Sequence, residues 1–344
     1  MPNKPKKGQR PKDLFGPWSH GTTEQPPRRK EDADLWKVRD ELKVLDLKGM
    51  RMGLVIRDCF DQAYDGQRTG RWDYMQLSKT EKTHIGTLVE IGIRKEFGFE
   101  EDERGPGGAR GKLDFLIKGV PVDCKWALNL YEWYIPKEMY QDEPKIAMVV
   151  WGNEYTKRWS LGLIRIEEKY LKAEGRQRDK KRTLNEAGRD RILWVFKNAR
   201  LIENTLLHAK TPAIDEIRYS TNGQTAVTTL FRSLTERLVN RATVITAGAQ
   251  IDPGKRVRDA RKQLKRHGIV IFGHYEPHPT MAQQLGLPRP TLGSFVSARL
   301  VPWNDGDARP YTEIEGSRWR LARKKDPVTP APRLPRQGNY GSDG

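Results

Sequence analysis

The sequence predicts a mixed α/β chain in two parts. The N-terminal part joins a capped helix to a β-hairpin, and the C-terminal part has the element order of a winged helix-turn-helix. Three observations carry this. Ser78 and Glu81 stand at capping-box spacing ahead of an apolar run. Two strand-like runs, 112–117 and 120–125, are separated by Lys118 and Gly119, a hairpin-turn pair. A helix rich in Lys and Arg, running from Asp252 to Gly268, leads directly into the apolar strand 269–272.

A length of 344 residues suits two domains or one large one. With 10 Trp, 11 Tyr and 9 Phe, the chain has the material for real cores. The longest apolar runs, such as 146–151, are far short of the roughly 20 residues that cross a bilayer, so no membrane association is expected. The N-terminus lacks the apolar segment of a signal peptide. Cys59 and Cys124 alone give neither a disulfide framework nor a four-cysteine zinc site, which points to a reducing, cytoplasmic setting.

Charge is the strongest compositional signal. There are 63 basic residues against 45 acidic ones, a net +18, which calls for a polyanionic partner or, failing that, a solvated basic surface. Its distribution is uneven. Residues 1–30 carry +6 among six prolines, and 323–344 carry +3 among four. These read as a disordered arm over 1–33 and a disordered tail over 323–344. Residues 205–322 carry +7, and 31–204 only +2.

Within the N-terminal part, the capping box opens a helix running to about Phe97. Between Ile85 and Ile93 its only charge is Glu90, and an acid in so apolar a stretch needs a salt-bridge partner or a metal. His84, one face away, reads as a structural histidine or a phosphate contact. In the hairpin, a Lys118-Gly119 turn pairs Ile117 with Val120 and, counting outward, Asp114 with Asp123. Alternation puts Asp123 and Lys125 on one face and Val122 and Cys124 on the other. Two opposed carboxylates repel unless a cation lies between them. They suit Mg²⁺, which activates water and a phosphodiester, while a neighbouring lysine orients the attacking water. The Cys124 backbone carbonyl can reach the same ion. This Asp-x8-Asp-x-Lys pattern is weak alone, and a solvated charged hairpin is the plainer reading.

A domain boundary is expected near 197–222, after the strand-like run 192–196. The charged segment 169–191 reads as an exposed helix or long loop. Val227, Leu230, Phe231, Leu234 and Leu238 place a helix over 224–239. In the basic helix, Asp252 is the N-cap, Pro253 the first position and Gly268 the C′ residue. Val257, Ala260 and Leu264 mark its inner stripe. Lys255, Arg256, Arg258, Arg261, Lys262, Lys265 and Arg266 put seven cations in 12 residues, a mutual repulsion that DNA phosphates relieve. The turn before Asp252, near Gly248, is longer than the tight form. Runs 295–300 and 311–321, around an Asn304-Asp305-Gly306 turn, extend the wing sheet.

Longer stretches are more specific: YDGQRTGRW (64–72), KTEKTHIGTLVEI (79–91), VDCK (122–125), KRVR (255–258) and GIVIFGH (268–274). Through them the chain resembles the NaeI family of type IIE restriction endonucleases, of the PD-(D/E)xK superfamily, over roughly residues 35–322. The resemblance implies an α/β restriction-endonuclease-like catalytic domain over 34–200. It also implies a winged helix-turn-helix, like that of catabolite activator protein, over 201–322. It further implies a homodimer that cuts double-stranded DNA with Mg²⁺ and binds two copies of a palindrome, GCCGGC in the family, one as substrate and one as effector. Carried over by position, the catalytic residues are Glu90, Asp114, Asp123 and Lys125, with metal held by Asp114, Asp123, Glu90 and Cys124. The DNA contacts are Lys255, Arg256, Arg258, Arg261, Lys262 and Lys265. The chain departs from the family in a longer segment between Glu90 and Asp114, with a Gly-rich loop over 105–111 carrying Arg104 and Arg110. The basic arm has no counterpart in the family. Two other readings remain open at this stage: a winged-helix regulator that binds without cutting, and a structure-specific repair nuclease.

Overall fold

A computed structural model describes residues 24–101, 113–141, 143–173, 181–249 and 252–336. Most of the basic arm, the glycine-rich loop 105–111, Lys112 and the last eight residues lie outside the described residues. The chain divides into two compact units. One is drawn from Met1–Ala63 and Tyr74–Ile202, the other from Tyr64–Asp73 and Glu203–Gly344.

The first unit opens with α1 (Ala33–Leu45). Asp32 caps it, accepting the Leu35 amide at 3.0 Å, and also takes Arg165 on both oxygens at 2.7 and 2.9 Å. Residues 24–33, expected to belong to a disordered arm, therefore make specific contacts with the rest of the unit. Trp36 Nε1 donates to the Pro27 carbonyl at 2.8 Å, and Arg191 donates to that of Gln25 at 2.9 Å. Helix α2 (Met50–Tyr64) follows, and the chain then passes through ten residues of the second unit, which hold α3 (Gly66–Thr69). It returns for α4 (Lys79–Phe97), which starts on the full capping box. Ser78 Oγ accepts the Glu81 amide at 3.4 Å, and Glu81 Oε2 accepts the Ser78 amide at 2.8 Å.

Helix α4 packs against a five-stranded sheet of β1 (Phe115–Ile117), β2 (Val120–Ala127), β3 (Ile146–Asn153), β4 (Arg158–Arg165) and β5 (Leu193–Arg200), in sequential order. Only the β2–β3 pair is parallel. Strand β3 is central and buried along its whole length, which explains its unbroken apolar run. On one side of the sheet Trp133, Ile135, Val149, Trp151 and Ile164 form the core. The charged segment 169–191 contains the short helix α5 (Glu186–Asp190) and a buried Arg182 held by the Lys172 carbonyl and Glu168.

The second unit carries α6 (Thr211–Arg218), α7 (Gly223–Ser233), β6 (Leu238–Asn240), α8 (Arg241–Gly248), α9 (Pro253–Lys265), β7 (Ile269–Phe272), α10 (His278–Gln284), β8 (Ser294–Pro302), β9 (Tyr311–Ile314) and β10 (Ser317–Leu321). Its sheet runs β6-β8-β10-β9, with β7 on the other edge of β8. Helices α7, α8 and α9 share a core of Val227, Leu230, Phe231, Val244, Val257, Ala260 and Leu264.

Three expectations change here. The helix expected over 224–239 stops at Ser233. The chain turns through Glu236 at φ 64°, and Leu238 enters β6 opposite Val296. Helix α8 had no counterpart in the sequence pattern, because Thr243, Val244, Ile245 and Thr246 are β-branched and favour strands. Asn240 nevertheless caps it, accepting the Thr243 amide at 2.7 Å. Residues 323–336, expected to belong to a disordered tail, make contacts with the second unit. Asp326 accepts from Arg320 at 2.6 Å, Ala331 donates to the Lys265 carbonyl at 2.8 Å, and Ala331 is buried. These contacts are tertiary, which composition does not address. Among the described residues, no helix is long and apolar enough to cross a membrane.

The first unit also buries a charge cluster. Arg57, 1 % exposed, bonds Asp61 at 2.9 Å and pairs with Glu154, 2 % exposed. Burial pushes Asp61 up to about 6 despite the adjacent guanidinium. Removing one member leaves uncompensated buried charge. Arg57→Met should cost about 3–5 kcal/mol in urea unfolding. A loss below about 1 kcal/mol, the range of surface pairs, would show that the cluster is solvated.

Candidate active site and nucleic-acid interface

The hairpin closes on Lys118 at φ 49° and Gly119 at φ 78°. Both are left-handed, as a two-residue turn matched to strand twist requires. The ladder pairs Ile117 with Val120, Leu116 with Pro121 and Phe115 with Val122. One step further, Asp114 lies just ahead of β1 and reaches across the hairpin, and its Oδ2 accepts the Cys124 amide at 2.6 Å. Asp123, 9 % exposed, forms an ion pair through Oδ2 with Lys125 Nζ. The register thus gathers Asp114, Asp123 and Lys125 at one end of the hairpin, as the sequence expectation had it.

The electrostatics show too much negative charge for one ammonium. Burial pushes the Asp123 carboxyl up to about 6, Lys125 opposes the rise and Asp114 adds to it. Glu90, half-buried on α4, is also raised, first by burial, then by Asp114 and more weakly by Asp123. Its nearest cation is Arg94, at 4.0 Å. Burial works to lower the Lys125 ammonium, but the Asp123 carboxylate and, more weakly, Asp114 together raise it, and the net shift is upward. So three carboxylates influence one another around one lysine. Their hard oxygen donors and excess negative charge fit a hard divalent cation. Among the described residues, no three Asp, Glu, His or Cys side chains are gathered tightly enough to cage an ion, so the acids form an open set.

Cys124 contributes its backbone. Its amide fixes Asp114, and burial holds its thiol well above the ordinary range, which leaves it unreactive. His84 is exposed on α4. Beside Glu90 lies a cleft of about 440 Å³ that the sequence reading missed, lined in part by Lys79, Lys82, Thr83, Gly86, Cys124 and Trp126. A signal for it was present: Lys79, Thr83, Gly86 and Glu90 recur at the spacing of one helix face.

On α9, Asp252 accepts the Lys255 amide at 3.0 Å, and Val257, Ala260 and Leu264 face inward. Lys255, Arg258, Lys262 and Lys265 are exposed. Arg256 and Arg261 depart from the expected surface role. Arg256 is half-buried, and its carbonyl and guanidinium both meet Gln224. Arg261 Nε donates to the Ile271 carbonyl at 2.9 Å, and burial lowers its pKa to about 10. Both residues adjoin the inner stripe, and the helical period turns them toward the core.

Comparison with known proteins agrees with this geometry. The profile of the family described as restriction endonuclease NaeI matches residues 36–330. The type II restriction enzyme NaeI of Lentzea aerocolonigenes is 41% identical over 316 residues, spanning 89% of this chain and 96% of that protein. The hairpin acids, Lys125, Glu90 and the basic helix all fall inside the matched span. The chain belongs to the NaeI restriction endonuclease family.

Proposed function

We propose that this chain is a type II site-specific endonuclease that hydrolyses double-stranded DNA, with Mg²⁺ at the hairpin. The observation that carries the reading is the hairpin register, which sets Asp114 on the Cys124 amide beside a buried Asp123 paired with Lys125. Its NaeI relative is named a type II restriction enzyme, and that activity fits the acids found here. Likeness to a type II restriction enzyme over most of the chain, rather than to a regulator, favours the cutting reading.

Asp114, Asp123 and Glu90 would hold the ion, with the Cys124 carbonyl as a further oxygen donor. When bound, Mg²⁺ supplies a Lewis acid that polarises the phosphodiester and makes water more acidic. The chain's own residues do the rest. The Cys124 amide fixes Asp114, and the Asp123 ion pair fixes Lys125. Because that pair holds the lysine above its ordinary pKa, Lys125 acts as a cation and hydrogen-bond donor rather than a base. It orients the attacking water and stabilises charge developing on the phosphate. As water adds to phosphorus, one phosphorus–oxygen ester bond breaks, and the departing alkoxide takes up a proton.

The second unit is assigned the grip on DNA. Helices α8 and α9, then β7 and the β8–β10 sheet, follow the order of a winged helix-turn-helix, with α9 as the recognition helix. Lys255, Arg258, Lys262 and Lys265 are the phosphate or base contacts, while Arg256 and Arg261 brace the helix from inside. By family likeness, the assembly is a homodimer on a GCCGGC-like palindrome, with a second copy of the site as effector.

Two outcomes test the centre. Lys125→Ala should lower single-turnover cleavage by about 10²–10³-fold, the range for losing one preorganised donor. It should leave DNA binding without divalent cation within a few fold, as read by fluorescence anisotropy. Normal cutting by this variant would remove Lys125 from the reaction. The second outcome is a pH dependence. Ion binding needs ionised carboxylates, and Asp123 takes up a proton as pH falls through about 6. Mg²⁺ should therefore raise Tm at pH 8 and lose most of that effect at pH 5. An equal Mg²⁺ effect at both values would contradict the assignment.

A further inference from the structure

Helix α4 contains two interior glycines, and they stand in different surroundings. A Cβ at Gly92 would come within 2.9 Å of Val55 Cγ1, so that glycine answers to packing. A Cβ at Gly86 would meet only Trp126, at 3.7 and 4.0 Å, an ordinary contact. Alanine therefore fits position 86 in the folded chain and would favour the helix. No packing need explains the glycine there.

Gly86 lines the cleft beside Glu90. Lys79, Thr83, Gly86 and Glu90 lie at i, i+4, i+7 and i+11, so they share one face of α4. That face extends about 16 Å at 1.5 Å per residue, room for several nucleotides of one strand at about 3.4 Å of axis each. Its cations are Lys79 and Lys82. Lys82 Nζ sits 4.7 Å from the Tyr74 ring, and neither lysine has an acidic partner among the described residues. The cleft holds a second acid besides Glu90, namely Glu132, which accepts Asn129 Nδ2 at 2.8 Å. Lys79 and Lys82 precede Glu90 by about three and two turns of α4, so a phosphodiester strand along this face meets both lysines on its way to the hairpin acids.

We propose that this face of α4 seats the DNA strand that is cut. Lys79 and Lys82 hold phosphates flanking the scissile one, and Gly86 leaves clearance for the sugar-phosphate backbone to reach Glu90. The inference rests on the nuclease reading above. Lys79 and Lys82 are positioning residues, and they act on affinity and placement rather than on the reacting bond.

The test uses the full chain and a synthetic duplex carrying a sequence that the wild type cuts. Binding is read by anisotropy without divalent cation across a salt series, cleavage by single turnover with Mg²⁺, and folding by Tm. Replacing both lysines by alanine should reduce the slope of log K against log salt by about 1.8, or 0.9 per phosphate contact. At saturating DNA the cleavage rate should stay within several-fold, and Lys79→Arg should bind as the wild type does. Gly86→Ala should melt at or above the wild-type temperature and yet cut at least tenfold more slowly. The inference is overturned if the double lysine variant keeps the wild-type slope, or if folded Gly86→Ala cuts at the wild-type rate. In either case a wild type that cuts leaves the nuclease reading standing. A wild type that cuts no DNA overturns that reading and this inference together.

Discussion

Lys118 and Gly119 make a turn only two residues long, and both adopt left-handed backbone to do so. That turn sets the register of β1 against β2, and the centre depends on the register. Sheet side chains alternate faces, so a slip of one residue would carry Asp123 and Lys125 to the opposite face of β2. It would also break the contact between Asp114 and the Cys124 amide. Central strand β3, buried along its length, holds β2 from the other side through six register pairs from Val122 to Ala127. The charged hairpin end is thus fixed by apolar packing that has no part in the chemistry.

That arrangement accounts for the condition of the acids. A carboxylate in water would have no reason to titrate near 6. Asp123 is pushed up to about 6 because the fold buries it beside Asp114, with Lys125 opposing the rise. Burial and the neighbouring acid thus favour the protonated form of Asp123, while the Lys125 ammonium favours the ionised one. Preorganisation of this kind is costly in stability and useful in catalysis, because the donors need not rearrange when the phosphate arrives.

The parts legible in the sequence were those with strong local rules. The capping box at Ser78 and Glu81 marked the start of α4, and the turn pair fixed the hairpin register from a few residues. The Asp252-Pro253 start marked α9. The parts that stayed hidden depend on tertiary context. Helix α8 is built from β-branched residues and forms because its neighbours give it a core. Residues 323–336 look disordered by composition but lie on the second unit. Arg261 reads as one more surface cation until the Ile271 carbonyl shows that it points inward. The alternation of acids and lysines could not by itself distinguish a solvated hairpin from one with a buried acid, and Asp123 is 9 % exposed.

The net charge of +18 now has a physical division. Residues 31–204, which hold the hairpin acids, carry only +2, and residues 205–322, which hold the exposed cations of α9, carry +7. The central claim is that the hairpin acids make this chain a cutter of specific DNA. The most direct measurement is digestion of a fully sequenced plasmid, with Mg²⁺ and with chelator, followed by mapping of every end. Double-strand ends confined to repeats of one palindrome, present only with Mg²⁺, are expected. Intact plasmid under all conditions, or ends scattered without regard to sequence, would contradict it.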